Sequence, residues 1–96
     1  MRAKFIAPAR REFLKEVDYY NEQALGLGAA FVQEVEDATA RALAFPSSGS
    51  PGPAGTRFII VNKFPFSIVY RSDREGIVVF ALAHHKRQPQ YWASRV

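Results

Sequence analysis

Both histidines of the chain, its single tryptophan and three of its thirteen Lys/Arg residues fall within Ala83–Arg95. His84 and His85 supply imidazoles able to carry a proton near neutral pH. Lys86, Arg87 and Arg95 supply cations able to hold an anion, and Tyr91 and Trp92 supply rings able to stack on a base or under a guanidinium. Chain termini are ordinarily frayed and chemically plain. This dense set of cations, imidazoles and aromatics instead predicts a surface that meets a partner.

The same residues exclude some chemistries. His84 and His85 are neighbours, so on a strand they point to opposite faces and one ion could not easily take both. Tetrahedral zinc needs further ligands, and the chain has no cysteine. No metal, cofactor or small-molecule ligand is therefore expected. Strand parity groups His84 with Leu82 and Phe80, and His85 with Ala83. One imidazole is expected as a packed strand-end group; the other, beside Lys86 and Arg87, as a proton carrier or phosphate contact. The sequence does not order the two. Tyr91 and Trp92, flanked by Arg87 and Arg95, suit the stacking of nucleic-acid bases, but adjacent aromatics after a proline also anchor a terminal turn onto a sheet. Arg57 and Arg71 extend a basic patch if they share a face with Arg87 and are isolated surface cations if they do not. Gly26-Leu27-Gly28 lacks the Lys-Ser/Thr of a phosphate-cradling loop, and no Ser-His-Asp or Cys-His arrangement is suggested by spacing.

Charge is divided unevenly. Residues 1–45 hold seven acids against six Lys/Arg, a net of −1, whereas residues 46–96 hold seven Lys/Arg against two acids, a net of +5. The positive field that would steer an anionic partner thus belongs to the second half. The absence of cysteine suits a reducing cytosol, no stretch approaches the ~20 apolar residues of a membrane span, and Met1–Ala7 is too short for a signal peptide before Pro8 closes it. A cytoplasmic protein without membrane association is expected.

The elements that must position these residues follow from periodicity. Ninety-six residues, 48% of them apolar, predict one domain with a single core. Lys4–Ala7 predicts a short strand, and Pro8 suits the first turn of a helix. Phe13, Val17, Tyr20 and Ala24 recur at spacings of 4, 3 and 4, with Glu12, Lys15, Glu16 and Asp18 largely off that stripe. Gly26-Leu27-Gly28 breaks this helix. A second follows with its stripe at Leu27, Phe31, Val35, Ala38, Ala42 and Phe45, and the short link folds the two back as an antiparallel pair. The Pro/Gly-rich run Phe45–Gly55 predicts a loop and the one candidate for disorder. Three strands follow at Thr56–Val61, Phe64–Arg71 and Ile77–Ala83, with a hairpin turn over Ser72–Gly76 and Pro65 at the start or edge of its strand. Ile77–Ala83 is apolar on both faces, as a strand covered on two sides would be. The expected fold is α+β in the order β-α-α-β-β-β: a helical hairpin packed against one face of a mostly antiparallel sheet of about four strands. Its core includes Phe13, Val17, Phe31, Val35, Ile68, Tyr70, Val79 and Ala81.

This order and length resemble the RelE/ParE superfamily of toxins from bacterial type II toxin–antitoxin systems. So do Gly26-Leu27-Gly28 with Phe31, the strand Phe64-Pro65-Phe66-Ser67-Ile68-Val69-Tyr70-Arg71, and the ending Ala83-His84-x-x-Arg87-x-Pro89-x-Tyr91-Trp92. The Phe-Pro-Phe strand with that ending is similar to the plasmid-stabilisation branch, and the likeness spans nearly the whole chain. It implies a protein that arrests bacterial growth unless a cognate antitoxin neutralises it. The superfamily divides by target, one branch cleaving messenger RNA on the ribosome and the ParE-like branch inhibiting DNA gyrase. Members of the cleaving branch tend to place a basic residue where this chain has Ser67, and lysines where it reads Phe58-Ile59-Ile60. The expectation is accordingly a ParE-like toxin acting by binding, with His84, Lys86, Arg87, Tyr91, Trp92 and Arg95 as the target-contacting set. The alternatives are a ribosome-dependent endoribonuclease using His85, Arg87, Tyr91 and Arg57, and an inactive remnant that binds only antitoxin.

Overall fold

A computed structural model describes residues 2–96. Two helices, α1 (Ala7–Gln23) and α2 (Leu27–Ala44), lie on a five-stranded sheet built from β1 (Arg2–Phe5), β2 (Ser50–Pro51), β3 (Arg57–Val61), β4 (Phe66–Asp73) and β5 (Gly76–His84) in the order β1-β5-β4-β3-β2. Three pairings are antiparallel; β1 runs parallel to β5 from Arg2↔Gly76 to Phe5↔Val79. The expected α+β architecture holds, with five strands where about four were expected. The fifth is the two-residue β2, too short and too proline-rich to show in an alternation pattern.

Local chemistry explains the joints. Ile6 is extended and Pro8 sits in the first turn of α1, where a missing N–H costs nothing. Between the helices Gly26 takes a left-handed conformation (φ 80°), which a residue with a Cβ adopts only at a cost. At Gly76 the backbone of Arg2 approaches so closely that any Cβ would collide with it, so this glycine permits β1 to pair.

The sheet has two unequal covered faces. Phe31, Val35, Ala38 and Ala42 of α2 meet Phe66, Ile68, Tyr70, Ile77, Val79 and Leu82, with Phe13, Val17, Tyr20 and Phe64 packed around them. Phe31 lies within 5.0 Å of both Tyr20 and Phe64 and 5.5 Å of Phe66, ring centre to ring centre. Such pairs add about 0.5–1.5 kcal/mol beyond their buried area. The opposite face is smaller: Val69, Ala81 and Trp92, flanked by Phe58, Ala83 and Tyr91.

Ala81, expected in the core with Val79, is buried but on the second face of the sheet. The ladder steps from Tyr70↔Val79 to Val69↔Ala81, leaving Phe80 as an extra residue. A bulge of this kind reverses inward and outward positions beyond it. Phe45, expected on the α2 stripe, ends the helix as its cap and is 68% exposed. The Phe45–Gly55 run, expected as the candidate for disorder, is tied down by Tyr70 Oη donating to the Pro46 carbonyl (2.8 Å), Arg57 to that of Gly49 (2.9 Å) and Arg71 to that of Ala54 (3.1 Å). Among the described residues, no helix is long and apolar enough to cross a membrane.

Candidate functional site

Beyond Phe5 the strand β1 is over, so the stretch of β5 past Val79 has no strand beside it on that edge. Buried backbone groups left in this way must find other partners. They find three side chains. The Phe80 carbonyl accepts from Arg95 Nη1 (3.0 Å), the Leu82 N–H donates to Glu12 Oε1 (3.2 Å), and the Leu82 carbonyl lies 3.3 Å from Tyr91 Oη. Glu12 reaches across from the second turn of α1; Tyr91 and Arg95 come from the C-terminal segment.

That segment is placed by tight local turns. His85 N–H donates to the Pro65 carbonyl (2.9 Å), Arg87 N–H to the His84 carbonyl (3.0 Å), and Gln90 takes a positive φ of 60° before a single helical turn over Ala93–Arg95. Trp92 then packs with the small side chains Ala81 and Ala83, edge-on to Phe58 with ring centres 5.8 Å apart. It is 2% exposed. Of the two roles expected for Trp92, target contact and anchor of the terminal turn, its burial fits the anchor: the indole fills the second face of the sheet.

Glu12 is the hub of the assembly and was read from the sequence only as a residue off the apolar stripe. Its Oε1 accepts from Arg95 Nη1 (2.9 Å), and its Oε2 accepts from Arg95 Nη2 (3.1 Å) and Tyr91 Oη (2.7 Å). Arg87 Nη1 stands 3.7 Å from the same Oε2. The side chains of Glu12 and Arg95 are 16% and 19% exposed, so this forked pair is largely shielded from water. Arg95, expected among the target-contacting residues, is thus held in a structural pair with Glu12. Burial, and then the hydrogen bond to Glu12, push the Tyr91 phenol above its ordinary value of 10.0. The hydrogen bond from Arg95 to Glu12 likewise raises the guanidinium further.

What faces water is Arg87. Its guanidinium is stacked 3.9 Å from the Tyr91 ring centre, while its side chain remains 56% exposed. Beside it Ser67, His84, His85, Tyr91 and Trp92 help line a hollow of about 280 Å³. His85 is exposed, and its Nε2 lies 2.9 Å from Ser67 Oγ. His84 is half-buried, edge-on to Phe66 at 5.0 Å, and its Nδ1 accepts the Lys86 N–H at 3.0 Å. The packed imidazole is thus His84 and the accessible one His85. Lys86 is exposed at the rim. Among the described residues no carboxylate pairs with either imidazole, and no three His, Cys, Asp or Glu side chains gather to hold a metal ion.

Arg57 does not join this set. It alternates with Phe58, which packs on the Trp92 face, and so lies on the helix side with its guanidinium on the loop at Gly49. Arg71 holds the same loop at Ala54 and covers the Phe80 ring at 5.1 Å. Arg57 therefore does not extend a patch on the Arg87 face, whereas Arg71 shares the Trp92 face by alternation with Tyr70 and is engaged by the loop and Phe80.

Residues 4–89 match the family described as ParE toxin of type II toxin-antitoxin system, parDE. No match is found among curated proteins. Among solved structures, a chain from one titled as the chromosomal ParDE TA system from P. aeruginosa aligns with a TM-score of 0.71 and 20% identity. The alignment covers 88% of this chain and 95% of that one. At that identity the structural likeness speaks for the fold.

Proposed function

This chain belongs to the ParE toxin family of type II toxin–antitoxin systems, and from that premise we propose that it arrests bacterial growth by binding DNA gyrase through the hollow beside Arg87. The observation that carries this reading is the division of labour around Tyr91. The phenol hydroxyl is engaged by Glu12 and its proton is held more tightly than usual, so Tyr91 is poorly suited to proton transfer. Arg87, stacked on the same ring, remains exposed and cationic. That is a geometry for docking on an acidic or phosphate-bearing surface, where exposed charge sets encounter rate and orientation.

The proposal includes a cognate antitoxin as partner. A groove of about 510 Å³ between α1, α2 and β1, lined by Phe5, Phe13, Val35 and Leu43 with Arg10 and Glu36 at its polar positions, offers apolar area for an antitoxin segment on the side of the sheet away from Arg87. Neutralisation would then follow from the complex as a whole, without the antitoxin having to occupy the hollow.

A second reading, the ribosome-dependent endoribonuclease, is favoured by one contact. Ser67 Oγ and His85 Nε2 are within hydrogen-bond distance in the same hollow as Arg87, which would place a base and a cation near a scissile phosphate. Expression of the chain without antitoxin separates the two. Loss of plasmid supercoiling with intact transcripts is the expected result. Cleaved transcripts with normal supercoiling would replace the first reading with the second, and unhindered growth would leave an antitoxin-binding remnant.

A further inference from the structure

We propose that Glu12 is a positioning residue for the target-binding hollow, acting through Tyr91 and Arg95 from a helix that does not itself line it. The inference rests on the binding function proposed above and goes beyond it, since Glu12 lies on α1 and lines no part of the hollow.

Glu12 accepts the Leu82 N–H from the uncovered edge of β5, the Tyr91 hydroxyl, and both terminal nitrogens of Arg95. Its partners are 70, 79 and 83 positions away in sequence. One carboxylate therefore ties the first helix, the sheet edge and the C-terminal segment at a single point. The consequence passes to Arg87 by contact. Its guanidinium rests on the Tyr91 ring at 3.9 Å and 3.7 Å from Glu12 Oε2. Release of Tyr91 would leave Arg87 without the surface that orients it.

Charge strengthens the case. Arg87 and Arg95 both stand against Glu12, so the cluster presents one excess positive charge. Replacement of Glu12 by glutamine keeps the volume but leaves two guanidiniums close together without their counter-ion, and removal of one member of a shielded pair costs more than the pair contributes. The opposite side of the sheet does not depend on this carboxylate, because its core is aromatic and aliphatic.

The sequence supplies a reporter for the segment, since Trp92 is the chain's one tryptophan and is buried. Glu12→Gln is therefore compared with the parent by tryptophan emission, acrylamide quenching, far-ultraviolet circular dichroism and inhibition of gyrase supercoiling. The expected result is red-shifted, quenchable Trp92 emission, helical signal retained, and roughly a tenfold or greater rise in the concentration needed to inhibit gyrase. Arg95→Met serves as the second variant if Glu12→Gln does not fold, and should release the indole in the same way. Unchanged emission and quenching in a folded variant would overturn the inference. So would a released Trp92 with inhibition undiminished. If the parent chain does not inhibit gyrase, the proposed function fails instead; the inference is then decided by the indole signals together with growth arrest on expression, which must weaken in the variant if Glu12 positions the effector surface.

Discussion

The two faces of the sheet are held by different physics. On the helix side, Phe31, Phe66, Ile68, Tyr70, Ile77 and Val79 are buried together and ringed by further aromatics. On the other, the buried cluster is Val69, Ala81 and Trp92, and a polar clamp on Glu12 ties the C-terminal segment to it. A large apolar core draws its stabilisation from many contacts, and no single polar group controls it. A small bed with one indole and one carboxylate rests on few. The face carrying Arg87 should therefore tolerate alteration while the helix-side core keeps the domain folded.

Substitutions on the two faces should therefore differ in kind as well as in size. Phe31→Ala removes the ring around which Tyr20, Phe64 and Phe66 pack. A loss of about 3–5 kcal/mol is expected, enough to unfold much of a small domain. Urea denaturation should show it, with toxicity and antitoxin binding lost together. Trp92→Ala should cost about 3 kcal/mol or less, at or below the low end for such truncations, because fewer buried residues surround the indole. Antitoxin binding should survive it, and a global collapse equal to that of Phe31→Ala would break the comparison.

Tyr91→Phe deletes a hydroxyl bonded to a carboxylate, and about 1–2 kcal/mol is expected. The alkaline limb sharpens this case. Because the folded value of Tyr91 lies above 10.0, the native state favours the neutral phenol. That contribution is intact below pH ~10, the ordinary tyrosine value, and is lost as the pH rises beyond it. Tyr20 is also raised, chiefly by burial and then by Glu16. Tyr91→Phe should therefore reduce the fall in urea midpoint between pH 8 and pH 10.5 without abolishing it. The smallest effect on stability belongs to Arg87→Ala, within about 0.5 kcal/mol for a side chain so exposed. Toxicity should nevertheless be relieved, with antitoxin binding retained in a pull-down.

Much of the helix face was legible in the sequence. Pro8, the stripe Phe31–Val35–Ala38–Ala42 and the Gly26 break specify the hairpin, because helix caps and apolar spacing are local. The order β-α-α-β-β-β was legible for the same reason. The second face was not. Ile77–Ala83 is apolar at every position, so no polar alternation marks the step at Phe80 that sends Ala81 to the opposite side. Trp92 was read both as a target contact and as an anchor of the terminal turn on the sheet, and residue type alone could not decide between them, because the Ala81 and Ala83 it packs with are set by the sheet register. Whether Arg57 shares a face with Arg87 was left open by the sequence; pairing with Tyr70 across β3 and β4 carries it to the helix side. Glu12 left no sequence signal: an acid beside an apolar stripe looks solvated until the β5 edge is seen to lack a neighbour.

The central claim is that an exposed Arg87, seated on a clamped Tyr91, makes the contact that inhibits gyrase. The most direct test is supercoiling of relaxed plasmid by purified gyrase, titrated with the parent chain and with Arg87→Ala. Inhibition by the parent, weakened by roughly tenfold or more in the variant, is the predicted result. Equal inhibition by both would contradict the account.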